Sequence, residues 1–345
     1  MRVYGQSLDT VKPADPDAYQ GRFATSRTLM HPAERRAGAG EMAGVINLPE
    51  HIADHTREQW LARFANLSEL ELAFDEQDKI LWCSWNLSGR PIFTLRLGRE
   101  IRTLQRGVQQ LFADQPAGAE APIRYIVWSS KFPGVYSLGG DLELFVELIR
   151  KRDRERLLDY ASTCVDIVHQ NTISCESPLI TVALVRGDAL GGGFEAALSS
   201  NLVIAERSAK FGLPEILFNL FPGMGAYSLI ARRIGAAQAE RMILSGRIYG
   251  ADELYELGLV DVLADDGKGD EAVYEYVDQF GRRHSAHRAI YNIRRHVNPV
   301  THEELLSVTR SWVESALALE ETDLKRMERL ARAQDRRIGT LGRNG

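Results

Sequence analysis

The sequence has little cysteine. Its three cysteines, Cys83, Cys164 and Cys175, form an odd set with no CxxC spacing, which argues against a disulfide framework or a structural zinc site and fits a reducing, cytoplasmic setting. No apolar run approaches the roughly 18 residues that a membrane span needs. The opening residues, MRVYGQSLDTVKPADPD, contain no apolar signal core, so a soluble protein is expected. Basic excess is also missing. The 42 Lys and Arg stand against 47 Asp and Glu, a formal net charge of −5, and this leaves no electrostatic footprint for nucleic acid or an anionic membrane. Histidine is scarce, at eight residues. His284, His287 and His296 share one basic stretch but match no zinc spacing and lack carboxylates nearby in sequence, so no metal is expected.

What remains is ordinary globular material, 345 residues of which 44% are hydrophobic and 26% charged, enough for one large domain with appendages. Residues 1–60 mix Pro, Gly, Arg and short polar residues with little periodicity. They bury too little apolar surface to offset the entropy of ordering, and a partly disordered N-terminal extension is expected. The core is expected over 61–281. There ELELAFDEQDKILWCSW reads as two strands about an acidic turn, FTLRLGREIRTLQRGVQQLF has helical spacing, and IRYIVWSS is a short run of the buried parallel kind. The alternation continues with a helix over 142–172, a strand over 179–185, a helix over 192–200, a strand over 202–206, and helices after Gly223 and Ala251. This pattern makes the chain α/β. Beyond Gly281 the strands stop, and two or three helices fill 282–345.

The strand-to-helix junctions carry the chemistry. In TVALVRGDALGGGFEAAL a strand runs into Gly191-Gly192-Gly193, and Glu195 sits in the first turn of the helix that follows. The first amides of a helix have no intrahelical partner and lie at the positive end of its dipole, so glycines there let an anionic oxygen come close. Taken alone, the motif is more often a tight βα turn with a dipole-favoured glutamate. A second junction, VWSSKFPGVYSLGGDLELF, repeats the grammar with Gly139-Gly140 and then Asp141, which reads as a helix N-cap rather than a catalytic acid. A third segment, AKFGLPEILFNLFPGMGAYSL, sets Glu215 in an apolar run where desolvation would raise its pKa; the plainer alternative is a solvated loop glutamate.

Together ALGGGFEAAL, KFGLPEI, FPGMGA and MILSGRIYGADELYELGLVDVL resemble the crotonase (enoyl-CoA hydratase) family in order and spacing, over roughly residues 70 to 280. The resemblance implies a ββα spiral core with a C-terminal helical region. It implies an oxyanion hole at the amides of Gly140 and Gly192, and a catalytic pair at Glu195 and Glu215, twenty residues apart. Removing a proton α to a thioester leaves an enolate oxygen that needs preorganised donors. Two carboxylates can divide the α-proton and the β-hydroxyl between them. The same hole suits the tetrahedral oxyanion of thioester hydrolysis.

The long extension, Leu138 where the family usually has alanine, and the WSSKFPGVYSLGGDLELF, IYNIRRHVNPV and TRSWVESAL segments resemble the diffusible-signal-factor synthases. These make cis-2-unsaturated fatty-acid quorum-sensing signals. The implied substrate is a 3-hydroxyacyl chain on acyl carrier protein, dehydrated and then released as free acid, with no cofactor beyond the acyl-phosphopantetheine thioester. Matching positions imply that Leu138, Leu190, Met224 and Trp312 belong to an acyl pocket, while Leu190, Met224 and Trp312 each read more often as plain core. The alternatives are a trans-2-enoyl-CoA hydratase acting on acyl-CoA, and a regulatory module that binds a sensor kinase receiver domain. The basic 282–296 segment is a solvated face or a docking site for the acidic carrier. The family also implies a trimer or hexamer, with the C-terminal helices, including the amphipathic 301–335 stretch, serving oligomerisation and pocket cover.

Overall fold

Apolar runs too short for helices build the central sheet. It contains β1 (Leu70–Asp75), β2 (Ile80–Trp85), β3 (Tyr125–Ser130), β5 (Ile180–Val185), β7 (Leu202–Glu206) and β10 (Val262–Ala264), ordered β1-β2-β3-β5-β7-β10. The first two are antiparallel, and every other neighbouring pair is parallel. All residues of β3, β5 and β7 are buried. Strands covered on both faces need continuous apolar sequence rather than alternation, which is how YIVWSS and ITVALV read. The structure is a computed structural model that describes residues 60, 62–86, 90–116 and 118–341. Apart from Trp60, the expected N-terminal extension lies outside the described residues.

A second, smaller sheet consists of β4 (Val135–Ser137), β6 (Asp188–Leu190), β8 (Lys210–Gly212) and β9 (Ile248–Gly250), in that order. Strands of three residues show no periodicity, and sequence reading missed them. Three times in succession the chain gives one strand to the large sheet and the next to the small one: β3 then β4, β5 then β6, β7 then β8. A helical segment follows each pair. The fold is the α/β crotonase-like spiral expected, with a helical C-terminal region.

Helix α1 (Leu95–Ala113) starts at Thr94, whose side chain accepts from the Leu97 amide. The helix expected over 142–172 is two, α2 (Leu142–Arg150) and α3 (Arg154–Thr172). Arg152 adopts φ +54°, and the Asp153 side chain accepts from the Arg156 amide, so a capping aspartate restarts the helix where periodicity alone ran on. Asp141 caps α2 in the same way, accepting from the Leu144 amide. Helix α4 (Gly192–Leu198) stops two residues before the expected end. Its successors are α5 (Ala226–Ile234), α6 (Ala236–Ser245), α7 (Ala251–Glu256), α8 (Gly269–Phe280), α9 (His284–Val297), α10 (His302–Leu317) and α11 (Glu321–Leu341).

The last two helices turn their apolar faces inward. Trp312, Val313, Ala316, Leu324 and Met327 join Phe145, Leu148, Leu157 and Tyr160 of α2 and α3 in one buried cluster. The 301–335 stretch thus covers its own chain. Helix α9 differs: Ile290, Ile293 and Val297 lie on its surface, 61%, 59% and 78% exposed. None of the described helices is long and apolar enough to cross a membrane.

Candidate active site

Three neighbouring strands of the small sheet aim their ends at one place. Ser137 of β4 registers with Ala189 of β6, and Leu190 of β6 with Gly212 of β8. The turns that follow carry Gly140, then Gly192 and Glu195, then Glu215 in a 3-10 turn over Pro214–Phe218. Topology thus collects residues scattered over 75 positions. The first two turns touch: Gly139 has φ +93°, and a Cβ there would lie 2.9 Å from Leu190 O and 3.0 Å from Gly192 N. Only glycine satisfies both the backbone and the space.

Counting the amides of the first turn leaves one unused. Leu138 N donates to Pro91 O (2.8 Å), Gly139 N to Ser137 Oγ (3.2 Å), and Asp141 N to Tyr160 Oη (3.2 Å). Gly140 N has no partner among the described residues. In the second turn Gly191 N donates to Gly212 O (2.8 Å), while Gly192 N, first of α4, is free in the same sense. A nearly buried amide without an acceptor costs free energy unless a ligand supplies one. Gly140 and Gly192 both line the same cavity.

The two glutamates differ in solvation. Glu195 is 1% exposed, and its Oε1 accepts from Met224 N (2.8 Å) and Ala226 N (2.9 Å). Burial pushes its pKa up to about 7, and these backbone donors oppose the rise by stabilising the anion. Glu215 has less support: its own backbone amide opposes the rise, and its Oε2 is buried and unpartnered among the described residues. Burial first, and repulsion from Glu195 second, push it up to about 8. Burial of both groups and repulsion between them thus raise the pair toward neutrality, where it titrates as a unit.

The cavity encloses about 640 Å³, counting its open mouth. Of the residues anticipated from sequence, Gly140, Gly192, Glu195, Glu215, Leu138, Met224 and Trp312 line it. Leu190 does not; its side chain packs with Ile92, Val135 and Leu138 behind the turn. Sequence reasoning missed Phe145 and Tyr160 from α2 and α3, and Leu330 and Gln334 from α11. Only the amphipathic pattern marked these helices, and it signals burial rather than a site. The three cysteines are buried and free, and Cys164 lines the cavity. His284 is buried and pushed down to about 4 by desolvation, and no three metal-ligating side chains cluster among the described residues.

A family model described as Enoyl-CoA hydratase/isomerase matches residues 115–306. The chain belongs to this family. Among curated relatives, the methylglutaconyl-CoA hydratase of Mus musculus is 30% identical over 179 residues, which are 52% of this chain and 53% of that protein. The chain thus spans about half the length of that relative. Among solved structures, an enoyl-CoA hydratase from Bacillus halodurans superposes with a TM-score of 0.62 at 24% identity, covering 76% of this chain and 99% of the other. DspI of Pseudomonas aeruginosa gives 0.56 at 22% identity, covering 67% and 89%. At these identities the structural likeness concerns the fold.

Proposed function

We propose that this enoyl-CoA hydratase/isomerase family member dehydrates a 3-hydroxyacyl thioester presented on acyl carrier protein and hydrolyses the product to a cis-2-unsaturated fatty-acid signal. One observation carries the reading: two proton-sharing glutamates and two unspent backbone amides line the same largely apolar cavity. That combination suits a reaction that moves one proton to or from carbon while charge builds on a thioester oxygen.

In dehydration the ionised glutamate removes the α-proton, and the electrons pass into an enolate whose oxygen rests on the Gly140 and Gly192 amides. The β C–O bond then breaks, and the protonated glutamate gives its proton to the departing hydroxyl, releasing water. In the reverse reaction one glutamate activates water while the other protonates the α-carbon. For hydrolysis, a carboxylate-activated water attacks the carbonyl, the same amides hold the tetrahedral oxyanion, and the thiolate leaves with the proton.

The apolar walls supplied by Phe145, Met224, Trp312 and Leu330 suit an acyl chain and exclude competing water. The name of the mouse relative favours a second reading, a hydratase acting on an enoyl-CoA. The deciding experiment offers the purified protein a medium-chain 3-hydroxyacyl carrier protein and, separately, the matching CoA thioester, with the lipids analysed by mass spectrometry against cis and trans standards. Free cis-2-enoic acid supports the proposal, trans-enoyl thioester alone supports the second reading, and turnover of neither sinks both.

A further inference from the structure

Tyr160 occupies an unusual place for a tyrosine in the middle of an amphipathic helix. It is 2% exposed, yet its hydroxyl is fully employed. It donates to Phe93 O and accepts from Asp141 N at 3.2 Å. Those two groups belong to the two strips of chain that hold the first glycine turn. Phe93 N donates to Gly139 O at 2.8 Å, and Phe93 forms a single parallel bridge with Gly140. The hydroxyl is wedged into that bridge on the side facing α3.

The turn is therefore fixed on both flanks of Gly140: through Gly139 O by the Phe93 amide, and through Asp141 N by the Tyr160 hydroxyl. The Gly140 amide between them is the one left unspent. The ring of Phe145 meets Tyr160 edge-on, with centroids 5.0 Å apart at 87°, and its Cζ lies 2.7 Å from where a Cβ on Gly140 would stand. Phe145 thus packs both against the clamp and beneath the glycine it serves. Burial keeps the phenol protonated at any working pH, so it stays able to donate to Phe93 O while its oxygen accepts from Asp141 N.

We infer that Tyr160 is a positioning residue: its hydroxyl, bridging Phe93 O and Asp141 N, aims the Gly140 amide into the cavity where the thioester oxygen sits. The inference deepens the proposed function and rests on Gly140 acting as an oxyanion donor. Tyr160 touches no reacting atom in this role. A donor that drifts by a fraction of an ångström loses much of its preference for the transition state while binding of the bulk of the acyl chain stays as it was.

The test is Tyr160→Phe, which deletes one oxygen, keeps the ring and its stacking on Phe145, and so preserves packing. Two readouts are taken on the full chain. Amide hydrogen exchange across 138–144 is expected to speed up about tenfold locally, the remainder of the chain being unchanged. On the thioester that the wild type turns over, kcat is expected to fall about ten- to hundredfold with KM within about twofold, and the shape of the pH profile, set by the glutamates, is expected to persist. Wild-type kcat in the variant overturns the inference, as does unchanged exchange at the turn. A lower melting temperature with intact kcat assigns Tyr160 to stability alone and overturns it too. If the wild type turns over no acyl thioester, the proposed function fails, while the exchange measurement still decides whether Tyr160 holds the turn.

Discussion

A carboxyl group gives up its charge when neither water nor a donor solvates the anion, and Glu215 meets that condition on its buried oxygen. Its folded pKa is raised, so the protonated form stabilises the native state. That contribution is fully present below the ordinary carboxylate range and is lost as pH rises through about 8. Glu215→Gln should therefore melt higher than the wild type at pH 9, with the gap closing toward pH 5; equal melting temperatures at pH 9 would refute the buried, repelled carboxyl. Activity should move the other way. Either Glu195→Gln or Glu215→Gln is expected to lower kcat about 10²- to 10⁴-fold without unfolding the protein. The wild-type profile should be bell-shaped about neutrality, since both acid and alkali destroy the singly protonated pair; a flat profile between pH 5 and 9 would exclude proton sharing. Glu195, Glu215, Gly140 and Gly192 were picked out in the sequence by the family resemblance, and the structure brings all four to one cavity. Tyr160 was not picked out, because its partners stand 67 and 19 residues away, and a tyrosine on an apolar helical face reads as core. Leu190 was placed by motif position alone; its side chain packs with Ile92, Val135 and Leu138 and does not line the cavity.

At the level of elements, α10 and the loop before α5 meet at a contact that tolerates no extra atom. A Cβ on Gly223 would stand 2.6 Å from Trp312 Cγ, while Thr309 Oγ1 of the same helix donates to Gly223 O at 2.9 Å. Gly223→Ala is expected to destabilise the protein by about 1–3 kcal/mol through overpacking, measured by denaturant unfolding. Adding Trp312→Leu should recover much of that loss, because the clash lies with the indole; no recovery would place the strain in the backbone. These elements were unevenly legible. Long strands of β3 and β5 announce themselves by unbroken apolar runs, whereas the three-residue strands that aim the site carry no period at all. The break at Arg152 was hidden for a related reason: a single residue at φ +54° and the capping Asp153 interrupt a pattern that stays amphipathic on both sides.

For the whole molecule, the direction each helix faces matters more than its amphipathic pattern. The 301–335 stretch packs on the chain's own α2 and α3, and the stripe of Ile290, Ile293 and Val297 on α9 is exposed. The homo-oligomer that the family implies is predicted to bury this stripe. Ile290→Asp combined with Ile293→Asp should turn a multimer into monomers in sedimentation equilibrium, and a multimer that survives the change places the contact elsewhere. The alternation of strands between two sheets has a consequence during synthesis. Its parallel pairings join distant segments, so they form late and slowly. The parts of the site leave the ribosome in order: Gly140, then Gly192 and Glu195, then Glu215, then Trp312, and last Gln334 of α11. A growing chain therefore carries Glu195 and Glu215 for more than a hundred residues before the last helix that lines their cavity has been made.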